Sequence, residues 1–361
     1  MKMNNAIPGA ALLSLLAGSS AGAAGYKNFT VSVYARAYEV REMKDLQWLE
    51  ERWSAIEKQV HVGKIYLETH RDGVMPDAET IEQAKRFFSS RGIRVAGGIT
   101  FTQNERDHFK TFCYSDPEMR KKTKEIAEFT ARHFDEIILD DFFFTNCKCD
   151  ACIRAKGKKS WTQFRLEQMD DAARNLVVGP AKAVNPKVKF VIKFPNWYDH
   201  FQYLGFDLEN EPRIFDGIYT GTETRDPVFS DQHLQPYESY EIFRYFENIK
   251  PGGNGGGWVD PFARGTLDRY GEQLQLTLFA KAPEITLFDF RSLLEPVRRE
   301  DGTEEPDTLV GRVAGYVFGT VDGFVGKLGN PVGIKSYKPY QSSGEDFLHN
   351  YMGMLGIPIE M

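Results

Sequence analysis

A closed (β/α)8 barrel is the fold this sequence predicts, and three observations predict it. Eight strand-like runs recur along the chain, most of them are followed by a helix-like segment, and polar residues gather where the strands end. Strands alternating with helices imply parallel pairing, and eight repeats imply closure. In order, strand 29–34 leads to helix 45–58, strand 64–68 to helix 78–91, and strand 94–100 to helix 117–133. Strand 136–141 leads to the long helix 161–183, strand 188–194 to a weaker one near Phe201, and strand 214–220 to helix 237–248. Strand 256–260 leads to helix 267–281, and strand 284–289 to a last helix over 309–319. The third helix shows its start clearly, because Ser115-Asp-Pro-Glu118 reads as a capping box with proline in the first turn. The seventh strand has the least propensity for its place, since Gly255, Gly256 and Gly257 fill it.

The chain opens on Met1-Lys2, an apolar small-residue run from Ala6 to Ala17, and Ala21-Gly22-Ala23. That order reads as a secretory signal peptide over 1–23, which places the protein in the periplasm or outside the cell. The run is too short and too broken by Pro8, Gly9 and Gly18 to span a bilayer, and no later stretch does so. Cleavage would remove Lys2 and move the net charge from −6 to −7. An acidic, aromatic-rich chain is a poor partner for nucleic acid and suits a neutral substrate better. The barrel occupies 24–321. The tail 322–361 looks unfinished: Val332-Gly-Ile-Lys-Ser-Tyr is strand-like and 344–355 helix-like. It reads as the start of a further α/β module, in a longer protein, or as a segment packed on the barrel.

Active sites in such barrels sit at the carboxyl ends of the strands. Those ends carry Tyr34 and Arg36; Glu68 and His70; Thr100; Asp140 and Asp141; Lys193, Asn196 and Trp197; Thr220 and Glu223; Trp258 and Asp260; Asp289 and Arg291. Asp140 and Asp141 end an otherwise apolar strand, and alternation sends one to the mouth and one to the wall without saying which. The bland alternative is a buried acid paired with Lys193 or Arg36. Glu223 stands among hydroxyls in Tyr219-Thr-Gly-Thr-Glu-Thr-Arg225, a sequence that also suits a capped turn with a surface ion pair. Asp260 precedes Pro261 and is as plausible a helix cap. Glycoside hydrolysis needs two carboxyl groups across one bond. Asp141 with Glu223 or Asp260 meets that need, with Asp140 the alternate first acid. Trp197, Tyr198, Trp258 and Phe142 are placed to hold sugar faces, while Arg36, Glu68, His70, Lys193 and Asn196 are placed to bind hydroxyls. No Walker loop, G-x-G-x-x-G after a strand, H-E-x-x-H or G-x-S-x-G elbow is present.

Four cysteines complete the inventory: Cys113, then Cys147, Cys149 and Cys152 as C-x-C-x-x-C just after the acidic strand. Cys113 follows the preceding strand, and neighbouring loops of a barrel meet on one face. Four thiolates suit a closed, tetrahedral structural zinc site. Two disulfides, free buried cysteines or a Cys149–Cys152 redox pair are the alternatives. A Cys147–Cys149 bridge would need a strained ring, although export favours disulfides.

These cysteines, with Asp140-Asp141 before them and Ser160-Trp-Thr-Gln-Phe-Arg165 after them, resemble glycoside hydrolase family 42, the zinc-containing β-galactosidases. The likeness covers 111–165. It implies a barrel glycosidase, a zinc site, and an amidotransferase-like domain beginning in the tail. The family has Asn-Glu at the fourth strand end and a glutamate nucleophile on the seventh strand, where this chain has Asp140-Asp141 and Asp260. A fourth-strand aspartate is instead similar to retaining α-galactosidases, whose acid/base follows the sixth strand, the place of Glu223. The expectation is an exported glycosidase acting on an oligo- or polysaccharide, with self-association into a homo-oligomer allowed. A catalytically silent carbohydrate-binding barrel and an exported thiol-disulfide protein are the competing readings.

Overall fold

The computed structural model describes residues 25–361 except 198–200, 227, 229, 231–233, 263–266, 299–302 and 341–346. The leader 1–23 and Tyr198 therefore lie outside the described residues. Eight parallel strands close into a barrel: β1 (Thr30–Ala35), β2 (Lys64–Glu68), β3 (Arg94–Ile99), β4 (Glu136–Leu139), β5 (Lys189–Phe194), β6 (Gly217–Gly221), β7 (Asn254–Val259) and β8 (Glu284–Phe288). Each pairs with its chain neighbours, and β1 closes on β8, so that Val33 lies opposite both Ile65 and Leu287. Period-two alternation sends Val31, Val33 and Ala35 outward against the helices and Tyr34 inward.

The interior is filled rather than hollow. Tyr34, Tyr66, Ala96, Ile138, Tyr219 and Trp258 pack across it. At its amino end the buried Lys64 Nζ lies 3.1 Å from Glu284 Oε2 and donates to the Tyr66 hydroxyl at 2.7 Å. That hydroxyl donates in turn to Glu284 Oε1 at 2.8 Å, so the buried charge is matched.

The helices follow from spacing and caps. In Leu46–Glu57 the Asp45 carboxylate accepts from the amides of Gln47 and Trp48, and Leu49, Trp53 and Ile56 face the core. Each such side chain contributes about 1.5–3 kcal/mol by leaving water. Helix Pro117–His133 starts as expected, but its cap is Asp116, whose carboxylate accepts from Met119 N at 2.9 Å. Ser115 instead accepts from Gln168 Nε2. The predicted helix 161–183 is Trp161–Ala172, a π segment Ala173–Val178, and Gly179–Val184, entered through Pro180.

The glycine-rich seventh strand forms because its neighbours come too close for a side chain. A Cβ on Gly256 would lie 2.5 Å from the Tyr219 hydroxyl, and one on Gly257 would overlap Thr277. β4 ends at Leu139, so Asp140 and Asp141 open the following loop. A small hairpin, Thr102–Asn104 with Lys110–Thr111, rises after β3, and another, Pro296–Arg298 with Glu304–Leu309, after β8. In the tail, Ile334–Lys335 pairs in parallel with Ile359–Glu360, with helix Phe347–Met354 between them. The tail meets helix Glu238–Ile249 through a Glu360–Arg244 ion pair at 2.7 Å, while Tyr351 and Leu355 stay exposed. Among the described residues, no helix is long and apolar enough to cross a membrane.

Candidate active site

The carboxyl ends of the strands converge on one cavity of about 730 Å³. Asp140 and Asp141 both line it, and both are buried. Lys193, from β5, stands at its centre. Its Nζ donates to Asp141 Oδ2 at 2.7 Å and Glu223 Oε1 at 3.3 Å, lies 3.5 Å from Asp140 Oδ1, and sits 4.5 Å from the centroid of the Trp258 ring. The two shorter contacts hold the Asp141 and Glu223 oxygens within about 6.0 Å of each other.

The three acids differ in charge state. Burial raises the Asp140 carboxyl, but Lys193 and Arg71 outweigh it and hold the group below the usual range. Burial lifts Asp141 to about 6, opposed by Lys193 and helped by Asp140. Burial lifts Glu223 to about 7, opposed by Lys193 and helped by Asp260 and Asp141. For Lys193, burial works against the charge, and the surrounding carboxylates overcome it and raise its pKa. Both carboxyls are thus held above the ordinary carboxylate range, Glu223 the higher of the two, the order that an ionised Asp141 beside a protonated Glu223 requires.

Asp260 is placed differently. Arg225 clamps both of its oxygens, Nε at 2.9 Å and Nη2 at 2.6 Å, and the Phe262 amide donates to it as well. Arg36 pairs with Asp289 at 2.9 Å and with Glu39 at 2.8 Å. Trp197 and Trp258 line the cavity, as does Phe142.

Three expected hydroxyl binders do not reach the cavity. Glu68 accepts from the Tyr34 hydroxyl and the Ala37 amide, each at 2.7 Å, and from Arg71 Nε at 2.9 Å, so its oxygens are spent within the wall. Asn196 donates to the Glu223 carbonyl from behind. His70 is turned into the wall, its Nδ1 2.7 Å from the Thr100 carbonyl oxygen and its ring edge-on to Phe112. Burial lowers its pKa to about 4, which keeps the ring neutral. The next residue, Arg71, points into the mouth and was missed. It is fully buried and pairs with Glu68, with Asp140 at 2.7 Å and with Glu105. Its position one residue beyond His70 was the available signal, but loop geometry carries no period to say which of two neighbours faces inward.

The four cysteines are free thiols whose sulfurs all lie within 4.8 Å of one another. Cys113 is 3.5 Å from Cys152 and 3.7 Å from Cys149, and Cys149 is 3.7 Å from Cys152. A tetrahedral ion with bonds of about 2.3 Å needs sulfurs about 3.8 Å apart, so the cluster fits zinc and is far too open for disulfides. Asn146, next to Cys147, lines the cavity.

A family model described as the catalytic domain of probable glycosyl hydrolases matches residues 18–320. A protein of Saccharolobus solfataricus described as uncharacterized is 32% identical over 309 residues, covering 76% of this chain and 50% of the relative. The chain thus spans about half the length of that relative. Among solved structures, a GH5_18 variant from Streptomyces cattleya in complex with Manβ1-4GlcNAc superposes with a TM-score of 0.53 at 11% identity, over 87% of this chain and 86% of that one. A polyextremophilic β-galactosidase from the Antarctic haloarchaeon Halorubrum lacusprofundi gives 0.52 at 11%, over 84% and 59%. At such identities these structures share the barrel fold.

Proposed function

The chain belongs to the family of probable glycosyl hydrolase catalytic domains, and from that membership we propose a retaining glycosidase with Asp141 as nucleophile and Glu223 as acid/base. It is a glycoside hydrolase, so its substrate is a carbohydrate. The observation that carries the finer reading is the shared ammonium: two acids held by one Lys193 stand within about 6.0 Å. Retaining pairs stand about 5–5.5 Å apart, whereas inverting pairs leave about 6.5–9.5 Å for a water.

In the first step the ionised Asp141 oxygen bonds to the anomeric carbon. The glycosidic C–O bond breaks, and the departing oxygen takes the proton of Glu223. Esterified Asp141 no longer carries the charge that helps keep Glu223 protonated. Glu223, now a carboxylate, takes a proton from water as that water's oxygen attacks the anomeric carbon. Asp141 leaves as a carboxylate, and both acids return to their starting states. Asp260, locked by Arg225, is the weaker partner, and Asp140, ionised between Arg71 and Lys193, positions Lys193. Proton NMR of the first product from an aryl glycoside should show the anomer of the substrate, and the opposite anomer would overturn the assignment. Azide should rescue Asp141→Ala and give a glycosyl azide.

We also infer a structural zinc ion on Cys113, Cys147, Cys149 and Cys152, supported by the sulfur spacing and checked by elemental analysis of native protein. The cysteine pattern supports a distant likeness to glycoside hydrolase family 42, and the fourth-strand aspartate one to retaining α-galactosidases. The leader supports export, testable by sequencing the amino terminus of the mature protein. The exposed Tyr351 and Leu355 support the tail as the start of a further module.

A further inference from the structure

We propose that the substrate spans at least two sugar units and that the hairpin over 102–111 holds the second unit on Phe109. The statement rests on the glycosidase reading above and adds where the second sugar lies. The cavity, about 730 Å³, falls within the usual range for ligand pockets of about 300–1,000 Å³ and exceeds what one hexose fills. Its reacting acids lie at the bottom, Asp141 at 6% exposure and Glu223 at 4%. The sugar whose anomeric carbon reacts must sit beside them. Phe109 lines the same cavity but is 52% exposed, so its free face is open to a unit beyond the reacting one.

Three features make this ring a platform rather than a stray apolar side chain. It stacks on Phe142, the residue after Asp141, with centroids 5.3 Å apart and planes 18° from parallel. Its backbone φ is 52° and that of His108 is 48°, the left-handed pair of a tight hairpin turn closed by Lys110 N donating to the Asp107 carbonyl at 3.0 Å, which fixes where the ring stands. The hairpin is also tied to the acids. Glu105 pairs with Arg71, the same guanidinium that holds Asp140, and the Glu105 amide donates to Asp72 Oδ1 at 3.0 Å. A half-exposed ring stacked on the nucleophile's neighbour offers its free apolar face to the C–H face of a sugar.

The test compares substrates with and without a second sugar. The probes are the α- and β-fluorides of glucose, galactose and mannose, and then disaccharides of whichever sugar reacts. Phe109 is exposed, so Phe109→Ala should fold. In that variant the ratio of kcat/KM on the disaccharide to kcat/KM on the fluoride should fall roughly tenfold, and Phe109→Trp should restore it. An unchanged ratio in Phe109→Ala would overturn the proposal. So would a wild-type enzyme that hydrolyses a fluoride and no disaccharide. Wild-type protein that hydrolyses no fluoride would instead overturn the glycosidase mechanism, and this proposal with it.

Discussion

Lys193→Met is the most informative substitution, because one ammonium sets the charge of three acids. Methionine keeps most of the stem and removes the charge. Coulomb's law at the 3.3 Å separation from Glu223 gives about 1 kcal/mol in bulk water and about 5 kcal/mol at an effective dielectric constant of about 20. At about 1.4 kcal/mol per pKa unit, Glu223 should rise by about 1 to 4 units, and Asp141, closer at 2.7 Å, by no less. Wild-type kcat/KM should follow a bell. It fails below about 6, as Asp141 takes a proton, and above about 7, as Glu223 loses one. Lys193 stays charged throughout, since its own pKa is raised above the ordinary lysine value. In the variant both limbs should move alkaline by at least about one unit, so that kcat/KM at pH 6 falls about fivefold or more. The assay is kcat/KM against pH on an aryl glycoside, with circular dichroism to confirm folding. Limbs left where they stand in the wild type would refute the shared-ammonium reasoning.

Three further outcomes follow from the geometry. Arg71→Met strands the buried Glu68 and Asp140 without their guanidinium, so chemical denaturation should show a loss of about 3–5 kcal/mol, with lower kcat/KM in whatever remains folded. Stripping a bound metal with a chelator should free the segment after β4 that carries Asn146, raising KM more than it lowers kcat and lowering the unfolding temperature by several degrees. Glu211 is fully buried, and burial raises its carboxyl well above the usual range. The folded state then binds its proton more tightly than the unfolded chain, so its contribution is full below the unfolded pKa and is lost as pH rises toward the folded one. Thermal melts of Glu211→Gln should match wild type near pH 4 and exceed it at pH 8.

The barrel was legible because strands and helices write their periods into the sequence: each of the eight observed strands overlaps a predicted run. The same periodicity brought Asp140, Asp141, Lys193, Glu223 and Asp260 to one mouth, since residues at strand ends share a face. What was not legible lies in loops, where no period operates. His70 was read as a mouth residue and Arg71 was passed over, although one bond separates inward from outward there. Asn196 and Glu68 were taken for substrate contacts because their positions were right; only the side-chain hydrogen bonds show the Glu68 oxygens spent in the wall and the Asn196 amide nitrogen spent on the Glu223 carbonyl. The hairpin after β3 has strands of only three and two residues, too short for alternation to register.

The glycine-built β7 limits how this enzyme is free to change. With the Tyr219 hydroxyl and the Thr277 methyl where side chains of Gly256 and Gly257 would stand, a substitution at Gly256 pushes on the barrel interior and one at Gly257 on the outer helix. Trp258 lies in that strand and Asp260 follows directly on it, so a shift there reaches the cavity as well. Diversification toward new sugars is then channelled away from this wall. It falls to segments that bear on the cavity without bearing on the barrel, above all the hairpin that carries Phe109, which is where relatives with different substrates should differ in length and sequence.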